Sequence, residues 1–374
     1  MTNAWTLTGG EALLPDGFTD TDLHLSGGRI ASDSADDAQT YHASGAWILP
    51  GIVDLHGDGF EAIVQPRPGV HFPHALAYAE ADAQMIANGI TTGYHALTVS
   101  WEPGLRDISI SRALVASLND IAPRLACDTR LNIRWETFAI DHVDEVIGWL
   151  AARPGDILSL NDHTTANRAL DDSSAKLKRM AARMHLSPAD AKHEINRIWD
   201  RRTEVPAATD RLCASATALG RPVMSHDDMT TEDRLTGRAR NVTIAEFPMS
   251  AEAAGAARDA GEHVVLGAPN ALRGESHNGA LCATQAIAAG LCTVLASDYY
   301  YPAPFHAVFR LHDAGVLPLD QGWALISANP AAAVGLQDRG TLAAGQRADL
   351  LVVDKATRHI RAVFVNGRKV LDRG

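Results

Sequence analysis

Ile48-Leu49-Pro50-Gly51-Ile52-Val53-Asp54-Leu55-His56-Gly57-Asp58-Gly59-Phe60-Glu61 is the stretch from which the fold can be read. The apolar run Ile52 to Leu55 reads as a buried strand of a parallel sheet. It ends in His56, Asp58 and Glu61, with glycines among them. Residues i and i+2 of a strand point the same way, so His56 and Asp58 can reach one point in space. Imidazole plus carboxylate is a metal-ligand pair. Alone, the pair reads more simply as the polar end of a strand with a satisfied histidine, and its weight depends on whether the pattern recurs.

Outward from this stretch, the chain divides. Residues 1–49 read as short strands and turns, with Gly27-Gly28 leading into a strand and a polar loop from Ser32 to Ala38. The far end mirrors it: Leu350 to Asp354 and Ile360 to Val365 are apolar, and Asn366-Gly367 between two such runs signals a hairpin. The two chain ends are expected to pair into one composite β-sandwich, 1–49 plus 339–374. Residues 50–338 alternate strand and helix. Beyond the first strand, further strands are expected at Ile90–Leu97, Arg130–Phe138, Asp156–His163, Pro222–Asp227, Val242–Phe247, His263–Leu266 and Cys292–Ala296. Helices are expected near 75–88, stopped by Gly89, near 105–121, and over 141–152 with Asp141 as N-cap. A charged helical insertion occupies roughly 165–219, broken near Pro188 and Pro206. Eight strands, each followed by helical sequence, are the signature of a (β/α)8 TIM-like barrel, an α/β fold whose site lies at the C-terminal strand ends.

If so, residues after each apolar run share one mouth. They are His56 and Asp58, Glu136, Asp162-His163, Ser225-His226-Asp227-Asp228, Glu246, Asn270 with Arg273 and His277, and Ser297-Asp298. Any one of them is more simply a cap or a hydrogen-bonded turn residue. Imidazoles and carboxylates at the same end of most strands fit two divalent metals, about 3.5–4 Å apart and bridged by a carboxylate and a hydroxide.

Composition narrows the class. Across 374 residues, 46% are hydrophobic and 21% charged, ordinary for a globular chain. A net charge of -12 argues against a nucleic-acid binder, so an anionic substrate has to be held by local arginines or by metal. No secretory signal or membrane-length apolar run appears. Cys127, Cys213, Cys282 and Cys292 show no CxxC spacing and suit a reducing, cytoplasmic setting. Sixteen histidines lean towards metal or acid-base chemistry.

The sequence resembles the amidohydrolase superfamily over its whole length, and within it the α-D-ribose 1-methylphosphonate 5-triphosphate diphosphatase family of the carbon–phosphorus lyase pathway. The segments that carry this are Leu49-Pro50-Gly51 with His56-x-Asp58, Pro66-Arg67-Pro68, Gly89-Ile90-Thr91-Thr92, Asp162-His163 and Ser225-His226-Asp227-Asp228. Others are Ile244 to Pro248, Gly267-Ala268-Pro269-Asn270, Arg273-Gly274-x-Ser276-His277, Ser297-Asp298-Tyr299-Tyr300 and Asn329-Pro330-Ala331. His-x-Asp, where most of the superfamily has His-x-His, favours this branch. The resemblance implies that His56, Asp58 and Asp298 hold one metal, that His163 and His226 hold the other, and that Glu136 bridges them. A bridging hydroxide would attack the α-phosphorus of a ribose 5-triphosphate, releasing pyrophosphate, with Asp298 as general base. Zinc leads as the metal, with manganese and iron as alternatives. Arg67, Arg168 and Arg273 are the expected phosphate contacts, with His277 as a further donor and Lys176, Lys178, Arg179 and Arg183 as a clamp or lid.

Three departures bear on the substrate. Gly57 and Gly59 flank Asp58 where the family more often has larger or polar residues, Thr164-Thr165-Ala166 follows His163 in place of Ser-Pro-Gly, and Glu136 falls on the third strand rather than the fourth. The architecture alone also fits hydrolysis of an amide, as by a deacetylase or cyclic amidase, and a retired non-catalytic barrel would have lost ligands that are all present here. The expected partner is a small anionic molecule, not nucleic acid or a membrane, and a homodimer is the default assembly.

Overall fold

The computed structural model describes residues 4–67, 69–171, 173–274 and 281–374. Its centre is an eight-stranded parallel sheet whose strands neighbour one another in sequence order. They are Ile52–Gly57, Ile90–Val99, Asp128–Glu136, Ile157–Asn161, Val223–His226, Ile244–Glu246, His263–Gly267 and Val294–Ala296. All eight expected strands are present. Val53, Leu55, Tyr94, Ile157, Met224, Ile244, Val265 and Val294 pack together as one buried cluster, the filled interior that makes such a barrel a core and not a pore.

The first and last strands do not share a continuous ladder. They meet at the site end, where the Asp298 amide donates to His56 O at 2.8 Å and the Asp58 amide donates to Asp298 O at 2.9 Å. Nearer the other end the segment Leu325–Ile326 is inserted between them, its carbonyls accepting from Leu295 N and Val53 N, each at 2.9 Å. Closure therefore depends on backbone bonds at three of the expected metal ligands, His56, Asp58 and Asp298.

The flanking helices follow local rules. His74–Ala87 ends at Asn88, and Gly89 takes φ +81°, where an added Cβ would stand 2.6 Å from Leu351 Cδ1. Ile108–Ile121 is capped by the Asp107 side chain, which accepts from Ser109 N. The next helix runs Val143–Ala152 after a 3-10 turn, so Asp141 is not its cap; that carboxylate is instead paired with Arg201 at 2.7 Å. In the insertion, Pro188 and Pro206 lie in the first turns of helices Pro188–Trp199 and Val205–Ala218. They start helices, because a first-turn N–H has no intrahelical partner to lose. The insertion has its own small core of Leu177, Met180, Ala181, Met184, Ala191 and Ile195.

Strands from both chain ends build the remaining sheets. Ala46–Pro50 pairs antiparallel with Leu350–Asp354 in a six-stranded sheet, and strands between Trp5 and His42 form a four-stranded one. Leu7, Ile48, Leu350, Val352 and Phe364 fill the space between. Asn366 and Gly367 both take positive φ, as a two-residue hairpin turn requires. Among the described residues, no helix is long and apolar enough to cross a membrane.

Candidate metal centre

Period-two alternation builds the site. On the third strand, Leu131, Ile133 and Trp135 join the cluster packed under the helices, so Asn132, Arg134 and Glu136 face the other way, into the barrel. On the fourth, Ser159 and Asn161 do the same. Glu246, at the end of the sixth strand and fully buried, organises this interior. It accepts from His56 Nδ1 at 2.7 Å, His226 Nδ1 at 2.9 Å, Asn132 Nδ2 at 2.9 Å and Ser159 Oγ at 2.5 Å. With Nδ1 committed, each histidine keeps Nε2 for the mouth. Glu136 treats His163 similarly: its Oε1 bonds His163 Nδ1, and its Oε2 accepts from the His163 amide at 3.2 Å.

Among the described residues, three groups result whose donor atoms lie within 4.8 Å of one another: His56–Asp58–Asp298, His163–His226–Asp227 and His56–His226–Glu246. In the third, both histidines already bond Glu246 through Nδ1, which makes it a supporting network. The first two present Nε2 and carboxylate oxygens. Asp227 stands 3.5 Å from His226 Nε2 and 3.7 Å from His163 Nε2, and Asp58 stands 4.0 Å from His56 Nε2. Two donors each about 2.1 Å from one ion stand roughly 3.4 Å apart in a tetrahedral shell. The donor types and spacings therefore fit divalent ions, with His56, Asp58 and Asp298 as one set and His163, His226 and Asp227 as the other. Asp227 and Asp298, with Phe247, follow three different strands and all take φ between +52° and +64°. Such strain gathers where a site over-determines the backbone.

The electrostatics are sharply divided. Burial opposes charge on His56, but Glu246 and Asp58 prevail and raise it to about 10. Burial likewise opposes charge on His163, which Glu136 and Asp227 raise to about 9. His226 moves down, through burial and then the Arg134 charge. Burial resists ionisation of Asp58, yet His56 and Arg134 hold it down at about 2. Asp298 goes the other way, to about 6, through burial and the neighbouring Asp58 charge. Two aspartates in one group thus shift in opposite directions, because Asp58 has His56 and Arg134 beside it while Asp298 is buried next to the Asp58 charge.

The structure brings five of the six expected ligands, His56, Asp58, His163, His226 and Asp298, into the first two groups. It does not bring Glu136 there, because both its oxygens are engaged by His163. Of the expected phosphate contacts, Arg67 lies exposed after the helix Gly59–Val64, and Arg273 is exposed at the end of the helix Ala268–Arg273. Arg168 stacks over the Trp199 ring at 4.7 Å. His277 lies outside the described residues. Sequence reasoning placed Asp227 and Glu246 at the mouth without naming either as a ligand or a support, and passed over Arg134. Arg134 is 5% exposed, and its Nη1 is 3.7 Å from Asp58 Oδ2. The available signal was parity, since Asn132, Arg134 and Glu136 share one strand face.

Comparison with known proteins bears on the family and the fold. The pattern of the amidohydrolase family matches residues 203–370. Alpha-D-ribose 1-methylphosphonate 5-triphosphate diphosphatase of Escherichia coli (strain K12) is 30% identical over 337 residues, 87% of this chain and 88% of that protein. Among solved structures, an amidohydrolase from an environmental sample of the Sargasso sea superposes with a TM-score of 0.68 at 13% identity, covering 99% of this chain and 93% of that one. N-acetylglucosamine-6-phosphate deacetylase from Pasteurella multocida does so with a TM-score of 0.63 at 11% identity, covering 99% of this chain and all of that one. These two likenesses concern the fold; the sequence likeness to the E. coli protein extends along both chains, and by it the chain belongs to the amidohydrolase superfamily, in the family that includes that diphosphatase.

Proposed function

We propose that this hydrolase cleaves a ribose 5-triphosphate, α-D-ribose 1-methylphosphonate 5-triphosphate or a close analogue, to the 5-monophosphate and pyrophosphate in phosphonate catabolism. The observation that carries the reading is the 30% identity to the E. coli diphosphatase over 87% of the chain. Site geometry alone fits amide and phosphoanhydride hydrolysis alike.

The two ligand sets would hold a binuclear centre of zinc, manganese or iron. Bound there, divalent ions supply Lewis-acid polarisation and lower the pKa of water. The chain does the rest. Asp298, grouped with His56 and Asp58 at the mouth, is placed to take a proton from the attacking water. Glu246 and Glu136 fix ring orientation and tautomer of the three histidines. Arg134 puts a permanent positive charge at the inner edge of the site, where phosphoryl oxygens gain negative charge. Arg67, exposed after the helix Gly59–Val64, and Arg273, exposed at the end of the helix Ala268–Arg273, would meet the outer phosphates. The partner is a small cytoplasmic anion.

The test is to supply metal-loaded protein with a panel of 5-triphosphates and N-acyl amino acids. Pyrophosphate release without amine release is expected, and amine release alone would overturn the reading. Asp298→Asn should cut turnover by about a hundredfold or more while leaving the unfolding transition unchanged.

A further inference from the structure

The two ligand sets are not equivalent, because a buried arginine is already bonded to one of them. His226 has two nitrogens. Nδ1 is committed to the buried Glu246, so Nε2 alone is left to bind an ion. Arg134 Nη2 stands 3.3 Å from that Nε2. A guanidinium only donates, so Nε2 offers it the lone pair that a metal would need. One lone pair serves one partner. A divalent ion on His163–His226–Asp227 and the Arg134–His226 hydrogen bond therefore exclude one another.

Arg134 is also held in place. Its Nε and Nη2 donate to Asn161 Oδ1 at 3.3 and 3.2 Å, and Asn161 itself is buried, its Nδ2 donating to Ser159 O at 3.2 Å. The other set is less obstructed. Arg134 approaches it only at Asp58, at 3.7 Å, and an anion of that set gains from a nearby cation. His56 Nε2 has no hydrogen bond from Arg134 among the described contacts.

We propose that Arg134 acts as a built-in competitor for the second metal position: the resting protein binds one divalent ion tightly, on His56–Asp58–Asp298, and takes a second on His163–His226–Asp227 only when the guanidinium leaves His226. The second metal position is then conditional, and an anionic ligand able to accept from the guanidinium fork is the class of molecule that would release it. The inference concerns metal occupancy and stands whichever bond the enzyme cleaves.

Metal-stripped protein titrated with zinc or manganese against a chromophoric chelator, with bound metal counted per chain, tests it without any assay of activity. Wild type should bind one ion tightly and a second at least about tenfold more weakly. Arg134→Met should bind two tightly. Asn161→Ala, which loosens the guanidinium without removing it, should tighten the second ion alone. His226→Gln should leave one tight ion. Two ions of equal affinity in wild type overturn the proposal, as does a single tight ion in an Arg134→Met protein that unfolds as cooperatively as wild type. If Arg134→Met does not fold, wild type and Asn161→Ala decide, and an unchanged second affinity in Asn161→Ala counts against it.

Discussion

Glu246 shows how one side chain can set the chemistry of several others. Its two oxygens take four donors, and His56 and His226 between them hold its carboxyl well below the usual range, against its burial. Gln at this position would turn one acceptor into an NH2 facing N–H groups. Glu246→Gln should weaken metal binding by about 10–100-fold, measured by chelator competition, since such supporting carboxylates fix ligand tautomer and direction. Unchanged affinity would show that His56 and His226 orient themselves. At this scale the sequence was readable where a residue's role follows from its type and place, as with His56 or Asp298 at strand ends. It was not readable for Glu246, because being a ligand or holding ligands depends on which nitrogen each histidine turns towards it. Arg134 was missed for a related reason: an arginine inside a strand reads as surface, and only the barrel's curvature turns that face inward.

Among elements, the strands were the most legible. Each is a short apolar run ended by polar residues, and all eight lie where that pattern predicts. Helix starts were less so. Asp141 looked like a cap but bonds Arg201 of the insertion, a partner 60 residues away. Elements are also pinned together at the barrel's far end. Arg339, nearly buried, donates to Thr92 Oγ1 at 2.8 Å and Asp128 Oδ2 at 2.6 Å, tying the chain's exit from the barrel to its second and third strands. Burial opposes ionisation of Asp128, but Arg130 and Arg339 bring it down to about 2. Its ordinary value is about 3.9. A depressed carboxylate adds stability that is complete above the unfolded pKa and is lost as pH falls through the folded one. Arg339→Met should therefore cost on the order of 1–2 kcal/mol near neutrality, and the gap to wild type should narrow as pH drops from about 4 towards 2. Urea unfolding from pH 7 to about pH 2 reads this directly; a gap that is constant across the range would mean that the loss is packing alone.

At the scale of the whole molecule, residues from the two chain ends share one sheet, with Ala46–Pro50 against Leu350–Asp354. A chain ending near residue 338 would leave Ile48 and Leu49 uncovered and their strand without that neighbour. It should aggregate rather than fold, as soluble yield and size-exclusion profile would show; a monodisperse, cooperatively unfolding product would refute this. The sequence by itself determined the alternation of strand and helix, the pairing of chain ends and the ring of histidines and aspartates at strand ends. These follow from local periodicity and from the rule that a barrel's mouth lies at its C-terminal strand ends. Only the tertiary structure decided how those residues divide between binding and supporting. Glu136 turns to His163, Asp227 enters a ligand group, and Arg134 reaches His226 from a strand two places away in the sheet. The physical reason is that each role is set by distances of 2.8–3.7 Å between residues about 20 to 240 positions apart. Barrel closure and side-chain orientation create those distances, and no local pattern encodes them.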